Sequence, residues 1–367
     1  MNIAVVGTGY VGLVTGVCFA ELGVNVICAD NDKQRIARLS EGESPIHEPR
    51  LSEMLQRNLQ RGLLQFTTDT EHAVKQSLVV FIAVGTPANE DGTADLCYVE
   101  DVARVVGSSL DGYKVVVTKS TVPVGAGQEI QEIIRAQDQN VSEGTFDVAS
   151  NPEFLREGSA IEDFLRPNRV AIGANRPQAV AILQDLYRPL YLIETPFVIT
   201  TLASAELIKY ALNRFLALKI SFINELASLC EVLGVDVHLL AEAMGLDQRI
   251  GPKSLLAAPG FDGSRFPKDT QALAQIAKQH GSSIRLVETL VAVNEQQKLR
   301  MVDTIAGALE ASTNGDSLKG KTIGLIGLAL PNTDDVRDPP SITMVQELQR
   351  RGARVRPFDP AAMEQAQ

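Results

Sequence analysis

No stretch of this 367-residue sequence reaches 18 apolar residues without interruption, so no transmembrane helix is expected. Positive charge is not in excess: 34 Lys and Arg face 45 Asp and Glu, for a formal net charge of −11. That balance excludes a bulk nucleic-acid or anionic-membrane binder, while leaving room for local Arg and Lys to hold an anionic ligand. Cysteine is scarce. Cys18, Cys28, Cys97 and Cys230 are scattered without metal-type spacing. They read as small apolar residues in a reducing compartment. The four His are isolated, so no metal site is expected. Nothing basic or cleavable precedes the first strand, and a cytoplasmic protein is expected.

Apolar residues are plentiful, at 45% of the chain, enough for sizeable cores in two domains and the start of a third. Asn2-Ile3-Ala4-Val5-Val6 reads as a buried strand. Gly7-Thr8-Gly9-Tyr10-Val11-Gly12 follows, then an apolar helical stretch from Leu13 to Leu22, then a second strand, Asn25 to Ala29, ending on Asp30. Each part of this G-x-G-x-x-G turn has a mechanical reason. Gly7 permits a tight turn, Gly9 lets the backbone approach a pyrophosphate, and Gly12 lets the helix pack on the strand. The helix N-terminus faces the phosphates. Asp30, 18 residues past Gly12, is placed to accept the adenosine ribose hydroxyls, which favours NAD over NADP.

Further strands are predicted at Leu64–Thr67, Leu78–Val84, Lys114–Thr118 and Phe146–Ser150, alternating with helices at Asp32–Leu39, Glu48–Leu59 and Val99–Leu110 and one after Gly125. This pattern predicts a doubly wound, mostly parallel sheet of Rossmann type. Val170–Gly173, a helix near Gln178–Leu190 and Phe197–Ile199 read as an appended unit. No Gly or Pro interrupts Leu202 to Leu233, which predicts one long helix opening an all-helical middle domain. Helices at Asp236–Met244, Asp269–His280 and Ser283–Glu310 complete it. After the polar linker Ser312–Ser317, Lys321–Gly327, Pro340–Arg351 and Ala353–Pro357 read as strand, helix and strand of an incomplete α/β domain, since two strands are too few for an independent sheet. The domains expected are 1–199, 200–311 and 318–367.

Five segments carry a resemblance: Gly7 to Gly12, Val84-Gly85-Thr86-Pro87, Lys119-Ser120-Thr121-Val122-Pro123, Asn151-Pro152-Glu153-Phe154-Leu155 and Phe266-Pro267-Lys268-Asp269. Over its whole length the chain resembles the UDP-glucose/GDP-mannose 6-dehydrogenases, and is most similar to the bacterial UDP-glucose enzymes among them. The resemblance implies NAD as cofactor, UDP-glucose or a related nucleotide sugar as substrate, and a homodimer. It implies oxidation of the sugar 6-hydroxyl to a carboxylate in two hydride transfers. GDP-mannose and UDP-N-acetyl-hexosamine dehydrogenases share the architecture and stay open as alternatives.

The resemblance also implies roles for residues. Gly7, Gly9, Tyr10, Val11, Gly12, Asp30 and Arg35 would hold the adenosine and pyrophosphate side of NAD. Thr86 and Thr121 would line the nicotinamide side, and Glu157, Lys268 and Arg337 would complete the cofactor site. Glu153, Lys209, Asn213 and Asp269 would form the proton-transfer set. Phe154, Leu155, Arg249, Lys253, Phe261 and Gly263 would meet the substrate. Lys209 and Asn213 stand at i,i+4, on one face of the long helix. An ammonium or amide aimed at a developing alkoxide stabilises it.

Two substitutions depart from the family pattern. Where the family reads Gly-Ser-Cys-Phe-Pro-Lys-Asp, this chain has Gly263-Ser264-Arg265-Phe266-Pro267-Lys268-Asp269. Arg265 thus stands at the position of the nucleophilic cysteine. A guanidinium is protonated at neutral pH and has no lone pair with which to capture an aldehyde. Before Pro331 the family has a Phe-Lys pair, and this chain has only Leu330. The incomplete C-terminal domain is a third departure. The expectation is therefore an intact NAD half and proton-transfer set, with the covalent step and the substrate affinity in question. A catalytically impaired or non-catalytic binding homologue remains the alternative.

Overall fold

A computed structural model describes residues 1–89, 91–137, 144–261, 266–309, 318–336 and 339–366, with backbone alone over 266–272. In chain order the first elements are β1 (Asn2–Val6), α1 (Tyr10–Glu21), β2 (Asn25–Ala29), α2 (Lys33–Ser40), α3 (Leu51–Gln60), β3 (Leu64–Thr67), α4 (Thr70–Lys75) and β4 (Val79–Ile82). Then come α5 (Cys97–Ser108), β5 (Lys114–Thr118), α6 (Ala126–Gln137), β6 (Phe146–Ser150), α7 (Ala160–Leu165), β7 (Val170–Ala174), α8 (Pro177–Leu186) and β8 (Phe197–Thr200). The remainder is α9 (Leu202–Leu233), α10 (Val237–Leu246), α11 (Phe266–Gln279), α12 (Arg285–Ala308), β9 (Thr322–Ile326), α13 (Pro340–Arg350) and β10 (Arg354–Phe358).

Two compact units divide the chain, Met1–Lys209 and Tyr210–Gln367, with the boundary inside α9. The first is built on one eight-stranded sheet in the order β3-β2-β1-β4-β5-β6-β7-β8. Strand order reverses between β1 and β4, which makes their carboxyl ends a topological switch point, where ligands of open α/β sheets bind. All pairs are parallel except β6 with β7. The segment expected as an appended unit therefore extends the main sheet: β7 turns back against β6, and β8 pairs parallel to β7.

Burial on both faces explains the strand composition. β1, β4, β5 and β6 are buried along nearly their whole length because helices cover both sides, and their centres are apolar. Helix α1 has buried residues on every side from Gly12 to Ala20, as an all-round apolar helix must. The short helices α4 and α7 carry too little periodicity to be read from sequence. Asp69 caps α4 through the amide of His72 at 2.9 Å.

In the second unit, α9 runs unbroken as the missing Gly and Pro predict. Tyr210, Leu273 and Val287 form one small core, and Ala217, Phe261 and Leu290 another. Val302, Met344 and Leu348 belong to a third, against which Ile323 and Val355 of the two-stranded β9–β10 sheet pack. Among the described residues no helix is long and apolar enough to cross a membrane.

Candidate active site

The glycine loop begins where β1 ends. Gly7 takes φ of +98°, and a Cβ there would stand 2.7 Å from the Ala83 carbonyl oxygen. A Cβ on Gly12 would meet the Gly7 carbonyl oxygen at 1.9 Å, so only glycine lets α1 start this close to the turn. Gly9 differs: among the described residues no atom lies within 4 Å of where its Cβ would be. It is also the residue before α1, and it leaves the first amides without a side-chain cap, with no acid in the first turn. Amides without a side-chain cap, open space beside Gly9 and a first turn that carries no acid fit a pyrophosphate.

Asp30 lies at the end of β2. Its Oδ2 accepts from the Thr8 amide and hydroxyl, both at 2.7 Å, and Oδ1 from the Asp32 amide at 3.0 Å. Arg35 stands 3.6 Å away. Burial alone would raise the carboxyl, but these donors and Arg35 hold it below the usual carboxylate range. It is therefore an ionised acceptor beside the cradle, suited to a diol.

The other loops converge from the carboxyl ends of β4, β5 and β6. Thr86 donates to the Thr121 carbonyl at 3.0 Å, which joins the segment after β4 to the segment after β5. After β6, Glu153 accepts from the Leu155 amide at 2.6 Å and forms an ion pair with Lys209 at 2.8 Å. Both residues are 3% exposed. Lys209 Nζ also stands 5.7 Å from the centre of the Phe154 ring, and Arg169 stacks on the same ring at 3.7 Å. Asn213, one turn along α9 from Lys209, is buried as well.

Two buried carboxylates that sequence reading missed hold these loops. Glu48 accepts from the Gly158 and Ala160 amides, each at 2.8 Å, and from the Tyr10 hydroxyl. It thereby ties the glycine loop to the segment carrying Phe154 to Glu157. Burial, then the bond to Glu48, raises the Tyr10 phenol far above its ordinary value. Glu206 accepts from the Gly125 and Gly127 amides at 2.8 Å, satisfying the open end of α6. It sits three residues before Lys209, so it links the loop after Thr121 to the helix that carries Lys209. Burial raises its carboxyl despite the two amides. Neither glutamate gave a local signal, because the amides they accept from lie far away in the chain, 79 residues for Gly127 with Glu206 and 112 for Ala160 with Glu48.

Family comparisons agree with this geometry. The description "UDP-glucose/GDP-mannose dehydrogenase family" matches in three parts: its NAD binding domain over residues 1–191, its central domain over 203–296 and its UDP binding domain over 324–367. The chain belongs to the UDP-glucose/GDP-mannose dehydrogenase family. It is an NAD-dependent nucleotide-sugar dehydrogenase by that membership, and Gly7 to Gly12 with Asp30 fit the cofactor. It is 50% identical to the UDP-glucose 6-dehydrogenase of Rhizobium meliloti (strain 1021), over all of this chain and 83% of that protein. With UDP-glucose 6-dehydrogenase TuaD of Bacillus subtilis (strain 168) it shares 48% identity, over 100% of this chain and 77% of the relative. The solved UDP-glucose dehydrogenase of Pyrobaculum islandicum superposes with a TM-score of 0.93 at 43% identity, over 100% and 83% of the two chains.

The remaining residues expected at the site have the following local surroundings. Glu157 is half-buried on the loop that Glu48 holds. Arg249 is exposed and paired with Asp247, and Lys253 is exposed with its carbonyl accepting from Lys219. The Phe261 ring is buried against Ala217 and Leu290, and its amide donates to Asn294 at 2.8 Å. Gly263, Arg265 and Arg337 lie outside the described residues, as do the side chains of Lys268 and Asp269.

Proposed function

We propose that the chain oxidises the C6 hydroxyl of UDP-glucose with NAD, and that conversion stops at, or leaks from, the aldehyde stage. The observation that carries this reading is the buried Lys209–Glu153 ion pair on the loop side of the dinucleotide-binding sheet. NAD, when bound, accepts the hydride that leaves C6. The hydroxyl proton passes to the Lys209–Glu153 pair on its way to water. Lys209 and, in this reading, Asn213 stabilise the negative charge that develops on the oxygen. The relatives at 43–50% identity are named UDP-glucose dehydrogenases, which supports this sugar over other nucleotide sugars. Carrying the aldehyde on to the acid would use a nucleophile at position 265, and Arg265 offers none.

Product analysis with NAD and UDP-glucose tests both parts. The wild type should release no more than one NADH per sugar and give aldehyde, and Arg265→Cys should raise acid formation. Wild-type glucuronate with two NADH per sugar would refute the arrest. No NADH from any nucleotide sugar would refute the activity.

Arg265 and the missing lysine before Pro331 favour a second reading, a subunit that binds NAD and a nucleotide sugar without turnover. Calorimetry showing neither ligand binding would exclude it. In either reading we infer a homodimer and the domains 1–199, 200–311 and 318–367. Phe215, Phe222 and Leu229 are exposed at seven-residue intervals on α9, a stripe that suits a second copy of the helix. The four free cysteines accord with a cytoplasmic site of action.

A further inference from the structure

Lys119 directly follows β5 and is only 5% exposed. Its Nζ donates to Asn151 Oδ1 at 2.9 Å and to the Tyr187 hydroxyl at 3.2 Å. The Tyr187 hydroxyl itself donates to Asn151 Oδ1 at 2.6 Å, and Asn151 Nδ2 donates to the Ala171 carbonyl at 2.8 Å. That second bond fixes which end of the amide faces the lysine. Below Nζ lie the Phe164 and Tyr187 rings, each 5.9 Å away at the centroid. Both hydrogen-bond acceptors are therefore neutral, and the surroundings are aromatic.

Among the described residues, the acidic neighbours are already paired with other cations. Lys119, Asn151, Glu153, Asp163, Arg169 and Tyr187 line one cavity. Glu153 is engaged by Lys209 at 2.8 Å, and Asp163 by Arg156 at 2.7 Å. Arg169 adds another cation, and the buried Cys18 thiol and Tyr187 phenol are both raised, so neither supplies negative charge. Two cations, Lys119 and Arg169, thus line the cavity with two carboxylates, each already paired with a cation outside that lining. Burial pulls the Lys119 ammonium down to about 7, with Glu153 opposing the fall and Lys209 adding to it.

We propose that Lys119 is a positioning residue whose charge sets how readily the Lys209–Glu153 pair exchanges the proton released by the sugar hydroxyl. This rests on the oxidation proposed above. A charged Lys119 repels a proton on Lys209 and so favours its loss. A neutral residue in its place leaves that proton more tightly held. The charge state of Lys119 and the acidity of the pair are coupled, as interacting sites are.

Two substitutions separate this role from simple packing. The acid limb of the pH profile for the first NADH released should move up by roughly one pH unit in Lys119→Met, and down in Lys119→Arg, whose charge is permanent. The KM for UDP-glucose should stay the same in both. Shifts in the same direction, or a uniform loss of kcat without a shift, would overturn the proposal. A second measurement needs no turnover. In the full chain labelled at lysine Cε, one resonance should titrate near neutrality and vanish in Lys119→Met. Absence of any such lysine in the wild type overturns the proposal even where the variants fail to fold. A titrating Lys119 in a chain that forms no NADH would instead refute the oxidation while upholding the coupled ammonium.

Discussion

The chain contains the same local device twice, once in each unit. In the first, β1 ends at Gly7, whose φ is +98° and whose amide donates to the Ala29 carbonyl at the end of β2, at 2.8 Å. In the second, β9 ends at Gly327, whose φ is +95° and whose amide donates to the Phe358 carbonyl at the end of β10, at 2.8 Å. An aspartate follows in each. Asp30 accepts from the Thr8 amide at 2.7 Å, and Asp359 from the Leu328 amide at 2.8 Å. The surroundings differ. Strand β1 lies between β2 and β4 with helices over both faces, whereas β9 pairs only with β10 among the described residues. Ile3 is fully buried and Ile326 is 88% exposed. Local sequence is thus enough to set a strand, a left-handed glycine and an aspartate clamp. Burial comes from neighbours that the local sequence does not contain. The ligand cradle needs more still: Gly9 and Gly12 have no glycine counterpart at Ala329 and Asn332.

The two turn glycines give the sharpest way to break this comparison. Gly7→Ala forces a Cβ to within 2.7 Å of the Ala83 carbonyl in a left-handed conformation. Overpacking and backbone strain together should cost roughly 2–6 kcal/mol and abolish NAD binding. Gly327→Ala meets no atom of the described residues within 4 Å, so only strain remains, about 1–2 kcal/mol. Chemical denaturation of both variants, with calorimetry for NAD, checks the difference. Equal losses would mean that the crowding around Gly7 carries no weight.

Isoleucine truncations sharpen the comparison next. Ile3→Ala removes atoms from a packed core and should cost about 2–5 kcal/mol. Ile326→Ala should change stability by less than about 0.5 kcal/mol, because the side chain is in solvent. Urea midpoints of the two variants are the measurement. A large loss at Ile326 would show that a surface outside the described residues, or a second copy, covers it.

This contrast also explains what was legible from sequence. The strand, glycine loop, helix, strand and aspartate from Asn2 to Asp30 were readable because every signal is local. So was α9, because a 32-residue helix without a breaker leaves little else to fit. The antiparallel return of β7 was not, since strand direction depends on where the chain goes after Leu165. Likewise Glu48 and Glu206 look like ordinary solvated acids until amides distant in the chain meet them. Lys119 was visible as part of a motif, but its burial among Asn151, Phe164 and Tyr187 was not.

The two aspartates give the smallest and most selective test. The Leu328 amide, with those of Ala361, Ala329 and Ala362, holds the Asp359 carboxyl down at about 2, against the opposing effect of burial. A carboxyl depressed on folding stabilises the fold at pH values above its unfolded value, about 3.9 for aspartate. That contribution fades as pH falls from about 4 through about 2, because the unfolded chain then takes up the proton first. Asp30 is depressed too, so acid should weaken both clamps. Amide replacement separates them. Asp359→Asn should lower stability at neutral pH by about 1 kcal/mol, as lost helix-cap acceptors do, and flatten the acid dependence below pH 4, leaving NAD affinity intact. Asp30→Asn should instead weaken NAD binding by about tenfold or more, since a hydrogen bond to a charged group is worth about 1.5–3 kcal/mol. Thermal melts from pH 2 to pH 7, with and without NAD, distinguish the two. If Asp359→Asn weakened NAD as much as Asp30→Asn does, the two modules would not be independent, and the assignment of the cofactor to the first alone would fail.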